Sequence, residues 1–300
     1  MLTASELKAL LKAHGLRLTK RLGQHFLVDE PVARRIVEQC GLSSSETVIE
    51  IGPGLGALTE PLAERAGRVI AVEIDPRIAA LLAERLASAP HVTVRCQDIL
   101  EFPWRSVGDV TVVGAIPYHL TSSILSALSE ARRAIRRVVL VVQEELAQRL
   151  LAAPGTKAYG RLSVMAQYAW DVSPRLFIPR NAFFPQPEVD SRCLLLRGRR
   201  RAPVAVASEP VFFEVVKAAF SHRRKTLVNC LTKGCVSAAM GGSGRAVRLG
   251  RSQVESLLRG LGLPLSVRGE ALSLAQFAAL ANALTPRPYD KFLEAKFMVE

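Results

Sequence analysis

A run of β-branched residues leads directly into a glycine loop at Thr47-Val-Ile-Glu-Ile-Gly-Pro-Gly-Leu-Gly56. The first five residues predict a buried strand, and apolar residues at helical spacing follow over 57–66. Because glycine has no Cβ, such a loop lets the backbone approach a ligand closely. A strand, a glycine loop and a helix in this order are typical of the first unit of an α/β domain that binds a nucleoside or dinucleotide.

The alternation of strands and helices continues along the chain. Helical stretches are predicted near 121–130 and 143–152. Predicted strands lie at Arg68–Ile74, Val92–Cys96, Val110–Val113 and Val138–Val142, with later strands at Leu162–Trp170 and Ser191–Leu196. Alternating elements of this kind form right-handed βαβ units, so we expect a doubly wound parallel sheet that is covered on both faces.

The last third of the chain has a different pattern. The segment Arg197-Gly-Arg-Arg-Arg201, followed by Ala202-Pro203, is interpreted as a hinge. Beyond it, apolar residues recur at helical spacing from about residue 209. We therefore expect a catalytic domain over 1–201, which includes a helical N-terminal segment over 1–46, and a small helical domain over 202–300.

Charge and composition limit the possible partners. The chain has 40 Lys and Arg against 27 Asp and Glu, a net charge of +13, which attracts polyanions. A nucleic acid is the favoured partner, with an anionic membrane surface or simple solubility charge as alternatives. No apolar run is long enough to span a bilayer, and the five scattered cysteines contain no C-x-x-C pair. We expect a cytoplasmic protein with reduced thiols, no metal and no membrane association.

Two features of the glycine loop separate two candidate cofactors. Its spacing is G-x-G-x-G, unlike the G-x-G-x-x-G of dinucleotide sites, and the acidic Glu50 precedes it. A sulfonium nucleoside lacks the pyrophosphate that the dinucleotide pattern holds, so the loop favours S-adenosylmethionine over a nicotinamide dinucleotide. Glu73 ends the second strand, where a carboxylate can accept hydrogen bonds from both ribose hydroxyls. Its alternative role is to cap a helix, which Asp75 fills better.

Asp98 closes the third predicted strand. At this edge of a doubly wound sheet it could accept a hydrogen bond from an adenine amino group. It could equally cap the following helical turn, and its position alone leaves both roles open.

Six further segments resemble, in order, the signature motifs of the rRNA adenine N6-dimethyltransferases. They are Gly23-Gln-His-Phe-Leu27, Ala115-Ile-Pro-Tyr118, Ala158–Tyr168, Phe183–Ser191, Phe220–Leu227 and Arg268–Ser273. The resemblance covers almost the whole chain. It is closer to the KsgA-type bacterial small-subunit branch than to the erythromycin-resistance methylases, because that branch carries a small helical C-terminal domain. It implies a Rossmann-like class I methyltransferase fold, α/β in class, with a doubly wound sheet and a small C-terminal all-α domain.

The resemblance also assigns expected roles to positions of this sequence. The methionine end of the cofactor would contact His25 and Leu27, its ribose Glu73, and its adenine Asp98. The full set of expected cofactor contacts is Gln24, His25, Leu27, Gly52, Gly54, Glu73, Ile74, Asp98, Ile99 and Ala115. The expected catalytic residues are Ala115, Ile116, Pro117, Tyr118 and Phe183. Tyr118 and Phe183 would stack on a flipped-out adenine, with core packing as the alternative for both rings.

Two positions depart from the family pattern. The fourth motif usually begins with Asn, whose side-chain oxygen accepts a hydrogen bond from the target amino group, but this chain has Ala115. Only the carbonyl of Ile116 remains as an expected acceptor, so we expect slower methylation, or methylation of one adenine only. His25 replaces a second common Asn and can still form hydrogen bonds through its ring nitrogens.

Two basic clusters are candidates for binding RNA phosphates. The first, near the hinge, contains Arg197, Arg199, Arg200 and Arg201, and the second contains Arg223, Arg224 and Lys225, which we expect to start a helix. A solvated surface is the alternative for either cluster. The net charge and the family resemblance favour phosphate binding.

The resemblance predicts N6,N6-dimethylation of adjacent adenosines in a hairpin loop of 16S rRNA, in a pre-ribosomal small subunit, with S-adenosylmethionine as cofactor. We expect the enzyme to be a monomer. The alternative is a ribosome-assembly or RNA-binding factor of the same fold whose catalysis is weakened by Ala115. A small-molecule methyltransferase fits poorly, because it explains neither the basic excess nor the helical appendage.

Overall fold

The computed structural model describes residues 1–16, 24–116, 120–199, 201–233 and 249–285. The helices in these ranges are α1 Ala4–Ala13, α2 Glu30–Glu38, α3 Thr59–Ala63, α4 Pro76–Arg85, α5 Thr121–Glu130, α6 Glu144–Leu151, α7 Arg161–Ala169, α8 Glu209–Ala219, α9 Leu227–Lys233, α10 Arg251–Gly260 and α11 Leu274–Leu284. The strands are β1 Phe26–Leu27, β2 Thr47–Ile51, β3 Arg68–Glu73, β4 Val92–Cys96, β5 Val110–Ala115, β6 Ile135–Gln143, β7 Trp170–Ile178, β8 Phe183–Phe184 and β9 Ser191–Gly198.

The chain divides into two compact units. The first contains Met1–Leu151 and Ala169–Arg199, and the second contains Ala152–Tyr168 and Arg200–Glu300. The first unit ends at Arg199, so the boundary expected after residue 201 lies within two residues of the observed one. It is wrong for residues 152–168, which leave the first unit and join the second.

A seven-stranded sheet forms the centre of the first unit, in the order β4-β3-β2-β5-β6-β9-β7. Strands β2 to β6 are parallel to one another, while β9 is antiparallel to both of its neighbours, β6 and β7. The predicted doubly wound α/β sheet is confirmed, but it is mixed and not parallel throughout as expected, because β9 is antiparallel to both of its neighbours. The strand predicted over Thr47–Ile51 coincides with β2, and the one predicted over Val92–Cys96 with β4.

The close fit of β2 against β5 depends on a glycine. Gly114 lies beside Ile51 in the parallel register, and a Cβ at Gly114 would come within 2.9 Å of the Ile51 carbonyl oxygen. Any larger residue would push these two central strands apart. Their carboxyl ends therefore meet closely at the edge where parallel α/β sheets bind ligands.

The strand predicted over Leu162–Trp170 is wrong, because Arg161–Ala169 forms helix α7. Val164 and Tyr168 are spaced four residues apart and are both buried in the core of the second unit. Ser163 is fully buried, and its Oγ accepts a hydrogen bond from Gly160 N at 3.0 Å at the start of the helix. The apolar run is thus one buried helix face, which periodicity over so short a segment does not separate from a strand.

The described residues of the second unit form helices and loops and no strand, as predicted. Ser208 caps α8 by accepting a hydrogen bond from Val211 N. Its core includes Phe212, Val215 and Phe277, which are fully buried. The tyrosine of α7 joins this core, since Tyr168 lies 4.7 Å from Phe212 between ring centroids.

Among the described helices, none has the length and apolar character needed to cross a membrane.

Candidate active site

A cleft opens in the first unit at the carboxyl ends of the parallel strands. Its empty volume, including the part open to solvent, is about 1260 Å³. All ten predicted cofactor contacts line it, namely Gln24, His25, Leu27, Gly52, Gly54, Glu73, Ile74, Asp98, Ile99 and Ala115. Of the predicted catalytic residues, Ala115 and Phe183 also line the cleft. Ile116 is buried and is not among the lining residues, while Pro117 and Tyr118 lie outside the described residues.

The glycine loop takes backbone conformations that favour glycine. Gly52 has a φ of 65° and Gly54 a φ of 56°. A Cβ on Gly54 would lie 3.0 Å from the ring of Phe26, so a side chain there would meet both strain and a clash. Gly52 N donates a hydrogen bond to Val72 O at 3.0 Å, which ties the loop to the end of β3. The loop is therefore a fixed backbone surface along one side of the cleft.

Glu73 is held in place by two backbone amides. Its Oε2 accepts a hydrogen bond from Gly54 N at 3.2 Å, and its Oε1 accepts one from Asp75 N at 3.0 Å. Burial raises the pKa of this carboxyl, and the amide hydrogen bonds oppose that rise. Each carboxylate oxygen still has a second lone pair, so the group can accept hydrogen bonds from two ligand hydroxyls. Asp75 caps α4 by accepting a hydrogen bond from Arg77 N, as predicted.

Glu50 is a candidate site residue that the sequence analysis did not assign. It lines the cleft and is 1% exposed, and its Oε2 has no hydrogen-bond partner among the described residues. Burial raises the pKa of this carboxyl to about 8, Thr59 opposes the rise, and the like charge of Glu73 adds to it. Its place before the glycine loop was a usable signal, since strand ends point into the ligand crevice.

Asp98 combines two of its expected features. Its Oδ1 accepts a hydrogen bond from Leu100 N at 2.9 Å and caps a short helical turn over Ile99–Glu101. The capping role is thus confirmed. The residue also lines the cleft, so hydrogen bonding to an adenine stays a prediction.

Another part of the cleft lining is held by the short antiparallel pair of β1 and β8. In this pair Leu27 faces Phe183, and Phe26 faces Phe184. His25 Nδ1 lies 2.7 Å from Pro185 O, and because the carbonyl only accepts, the ring nitrogen is the donor. This hydrogen bond fixes the segment after Phe183 to the segment that was expected to contact the cofactor.

Phe183 belongs to the core, and it also lines the cleft. It is 7% exposed and belongs to the core cluster with Leu27 and Ile178. It also lines the cleft, where stacking on a base stays a prediction. Ala115 ends β5 next to the glycine loop, since its carbonyl oxygen would lie 3.7 Å from a Cβ built on Gly52.

The lining of the cleft fits S-adenosylmethionine. The cofactor carries a sulfonium and an ammonium group, and the cleft offers the buried carboxyls of Glu50 and Glu73. An unpartnered buried oxygen such as Glu50 Oε2 is costly unless a ligand donates a hydrogen bond to it. The described residues contain no group of three or more His, Cys, Asp or Glu side chains that could hold a metal ion.

The first basic cluster is only partly available for phosphates. Arg197 and Arg201 are exposed. Arg199 Nε donates a hydrogen bond to Trp170 O at 3.1 Å, and Arg199 Nη2 lies 3.6 Å from Asp171 Oδ1. Arg200 lies outside the described residues.

The second basic cluster occupies a turn, so the expectation that it starts a helix is wrong. Lys225 N donates a hydrogen bond to His222 O at 3.0 Å, which closes a turn before α9 begins at Leu227. Arg223, Arg224 and Lys225 are exposed in this turn. Arg223 also forms an ion pair with Glu270 at 3.3 Å.

Comparison with known proteins gives consistent matches. A family model described as ribosomal RNA adenine dimethylase matches residues 15–257. A protein from Geobacillus thermodenitrificans named ribosomal RNA small subunit methyltransferase A is 40% identical over 292 residues, covering 95% of this chain and 97% of the relative. A protein of the same name from Bacillus mycoides is 41% identical over 290 residues, with 94% and 96% coverage.

Solved structures agree with the fold. A 23S rRNA methyltransferase, ErmE, is 30% identical with a TM-score of 0.62, covering 86% of this chain and 99% of its own. A dimethyladenosine transferase from Plasmodium falciparum has a TM-score of 0.71 at 23% identity, covering 84% of this chain and 94% of its own. The expected class I methyltransferase fold is confirmed. So is the greater likeness to the small-subunit branch than to the erythromycin-resistance one, and the chain belongs to the ribosomal RNA adenine dimethylase family.

Proposed function

We propose that this enzyme transfers methyl groups from S-adenosylmethionine to the N6 atoms of adjacent adenosines in a hairpin loop of 16S rRNA. The substrate is a pre-ribosomal small subunit in the cytoplasm, and the enzyme acts as a monomer. The observation that carries the proposal is the position of Glu73, which two amides hold beside the glycine loop in a cleft that Ala115 and Phe183 also line.

The chain's residues bind and orient the cofactor in this proposal. When bound, the cofactor supplies a methyl group already activated by its sulfonium, so the protein needs no metal or covalent intermediate. Glu73 accepts hydrogen bonds from the ribose hydroxyls, and Asp98 accepts one from the adenine amino group. Glu50 gives the buried cationic end of the ligand an acceptor that is otherwise unpartnered within the described residues. Catalysis then depends mainly on positioning and electrostatics.

The other side of the cleft holds the target base. The N6 lone pair of adenine is delocalised into the ring, and acceptors on the amino protons favour a tetrahedral, more nucleophilic nitrogen. Ala115 has no side-chain acceptor, so the Ile116 carbonyl takes this role. Ile116 N donates a hydrogen bond to Val141 O at 3.3 Å, which ties this peptide to β6. Phe183 and Tyr118 stack on the base, which must leave its helix to reach the cleft.

The first unit is proposed to be catalytic and the second to bind rRNA. Arg201 and the exposed turn at 223–225 in the second unit, together with Arg197 near the end of the first unit, supply cations for phosphates. These contacts position the RNA, while the pocket selects the adenine. Affinity for RNA should therefore fall steeply as salt is raised, and a flat response would contradict phosphate binding.

The alternative of a catalytically weakened assembly factor rests on Ala115 alone. The matched relatives are named as methyltransferases, and nothing in the family match favours loss of activity. The alternative is therefore retained only as an outcome of the test.

The test is incubation of the purified chain with labelled S-adenosylmethionine and small subunits that lack N6,N6-dimethyladenosine. Mass spectrometry of the 16S rRNA should find dimethylated adenosines, and the Glu73→Ala variant should give none. Calorimetry with S-adenosylhomocysteine gives an independent reading of the cofactor site. Cofactor binding without turnover would select the assembly factor. Absence of any binding would overturn the proposal.

A further inference from the structure

One exposed aromatic side chain has no place in the site described above. Phe177 is 54% exposed, and it is the only aromatic residue in the described ranges that is classed as exposed. It lies near the carboxyl end of β7, at the edge of the seven-stranded sheet. A single exposed ring is ordinary by itself, so its meaning depends on the residues around it.

The position of Phe177 connects it to the target-base side of the cleft. The next residue, Ile178, is fully buried in the same core cluster as Phe183. A short segment, 179–182, then leads directly to Phe183 in the cleft. Phe177 therefore stands on the outer part of the same segment whose inner end is expected to hold the adenine.

One arginine lies beside the ring, and two more lie within three residues of it in the chain. Arg192 faces Phe177 across the β7–β9 pair, with its guanidinium 5.9 Å from the ring centroid. Glu144 Oε2 lies 2.7 Å from Arg192 Nε and holds that guanidinium in place. Arg175 and Arg180 are exposed, and neither forms an ion pair within the part of the chain that the structure describes. An exposed ring on a segment rich in arginine matches the way proteins hold single-stranded nucleic acid, with the base stacked and its phosphates paired.

The edge strand itself is protected against a protein partner. Pro174 lacks the N–H that strand addition would use, and the pairing register shifts between Pro174 and Leu176. Both features are devices that keep a sheet edge from accepting another strand. The aromatic ring and the exposed Arg175 and Arg180 remain available, and they favour RNA.

The conformation of the connecting segment is also fixed. Arg180 N donates a hydrogen bond to Asp190 Oδ1 at 2.9 Å, and the Arg180 guanidinium donates one to Glu188 O at 3.3 Å. A stacking surface built on this segment would therefore keep a constant position relative to Phe183.

We propose that Phe177, with Arg175, Arg180 and Arg192, forms a stacking platform for an unpaired rRNA base that flanks the target adenines. The platform rests on the proposed function, because it binds the RNA segment that leaves the target-base pocket. Its ring stacks on a base without reading its identity. It thus helps to hold the loop open while the target adenine occupies the cleft.

The kinetic test compares Phe177→Leu, which keeps an apolar side chain, with Phe177→Tyr, which keeps the ring. Phe177→Leu should raise KM for immature small subunits about 10-fold, by loss of one stacked base, with kcat unchanged. Phe177→Tyr should stay within about twofold of the wild type, since it preserves the stacking face. Affinity for S-adenosylhomocysteine should be unchanged in both. An unchanged KM for Phe177→Leu, or an equal defect in the two variants, would overturn the platform.

A second measurement works without turnover. Benzoylphenylalanine at position 177 of the full chain should cross-link to 16S rRNA when mixed with immature small subunits and irradiated. A cross-link only to a ribosomal protein, or no cross-link, would overturn the proposal. If the wild type methylates the subunits and Phe177→Leu behaves identically, only the platform fails. If the wild type binds subunits but never methylates them, the proposed function fails, and the cross-link alone decides the platform.

Discussion

The two sides of the cleft are built in different ways. The proposed cofactor wall, formed by Gly52, Gly54, Glu73 and Asp98, lies at the ends of three neighbouring parallel strands, β2, β3 and β4. The substrate wall, formed by His25, Ala115 and Phe183, combines three segments that are distant in sequence, and its His25 and Ala115 were also expected to contact the cofactor. Sheet register positions the first wall, whereas a two-residue strand pair and one side-chain hydrogen bond hold much of the second.

This difference indicates where the enzyme tolerates change. Both departures from the family pattern, His25 and Ala115, lie in the substrate wall. A carboxylate whose oxygens are already bound by Gly54 N and Asp75 N has little freedom, because removing it leaves backbone donors unpaired. Loss of a side chain from the substrate wall leaves the site with fewer contacts. The predictions below test this contrast, beginning with the largest effect.

Glu73→Ala should abolish useful cofactor binding. Under the proposed function, the variant loses two charge-assisted hydrogen bonds to the ribose hydroxyls, which together correspond to about 1,000-fold in Kd. Calorimetry with S-adenosylhomocysteine measures the change. The exposed Glu84 on α4 provides the control, and Glu84→Ala should bind as the wild type does.

Glu73→Gln separates binding from folding in the same experiment. Its amide oxygen can still accept one of the two backbone hydrogen bonds, so the variant should unfold closer to the wild-type temperature than Glu73→Ala does. Its affinity should still fall strongly. A Kd within threefold of wild type for both variants would mean that the cofactor wall is misassigned.

Ala115→Asn should speed methyl transfer. The new side-chain oxygen restores an acceptor for the N6 amino group, and one oriented partner in a positioned site corresponds to about 100-fold in kcat. Single-turnover methylation of immature small subunits measures this rate. Ala115→Leu, which adds bulk without an acceptor, is the matched control and should not be faster than the native chain. Equal rates for Ala115→Asn and the native chain would show that the substrate wall already works without this group.

His25→Leu should lower the methylation rate by about 10-fold through loss of positioning. The variant removes the hydrogen bond to Pro185 O that joins the two segments, while His25→Asn can still donate one. His25→Asn should therefore recover most of the activity. The same rate for His25→Leu and the wild type would show that the β1–β8 pair holds the wall without this hydrogen bond.

The sequence predicted the cofactor wall better than the substrate wall, and the physical reason is local. Strand, loop and helix signals lie within thirty residues of the glycine loop. The hydrophobic periodicity and the residue spacing alone were therefore enough to predict where Gly52 and Glu73 lie in the fold. The pairing of Leu27 with Phe183 joins residues far apart in the chain, and no local pattern encodes it. Glu50 was visible in the sequence, but its unpartnered buried oxygen depends on how the neighbouring side chains pack.

Helix α7 shows the same limit in the fold. Its apolar run was assigned to a strand, because the deciding contacts of Tyr168 with Phe212 and Phe213 come from a helix more than forty residues later. Those contacts also place 152–168 in the second unit, against the boundary expected from the basic hinge. Tertiary packing therefore overrides a short periodic pattern.

Glu50→Gln should produce the smallest effect, and it reports on the cofactor wall without any ligand. The pKa of Glu50 is raised from about 4.5 to about 8, so the folded chain holds this proton where the unfolded chain has lost it. The stability that it contributes is complete below pH 4.5, falls as the pH rises, and is lost above about 8. A neutral glutamine does not titrate. The variant should therefore melt a few degrees above the wild type at pH 9 and close to it at pH 5.

The exposed Glu84→Gln variant is the control for this pH series and should follow the wild type at both pH values. If Glu50→Gln also follows the wild type at pH 9, the carboxyl is ionised at no cost in the folded chain. Glu50 would then have a donor or solvent beside it even without the cofactor, and its role as the acceptor for the cationic end of the ligand would be lost. A rise in the stability of Glu50→Gln that is confined to high pH would instead show that the ionised Glu50 carboxylate has no hydrogen-bond donor in the protein without its ligand.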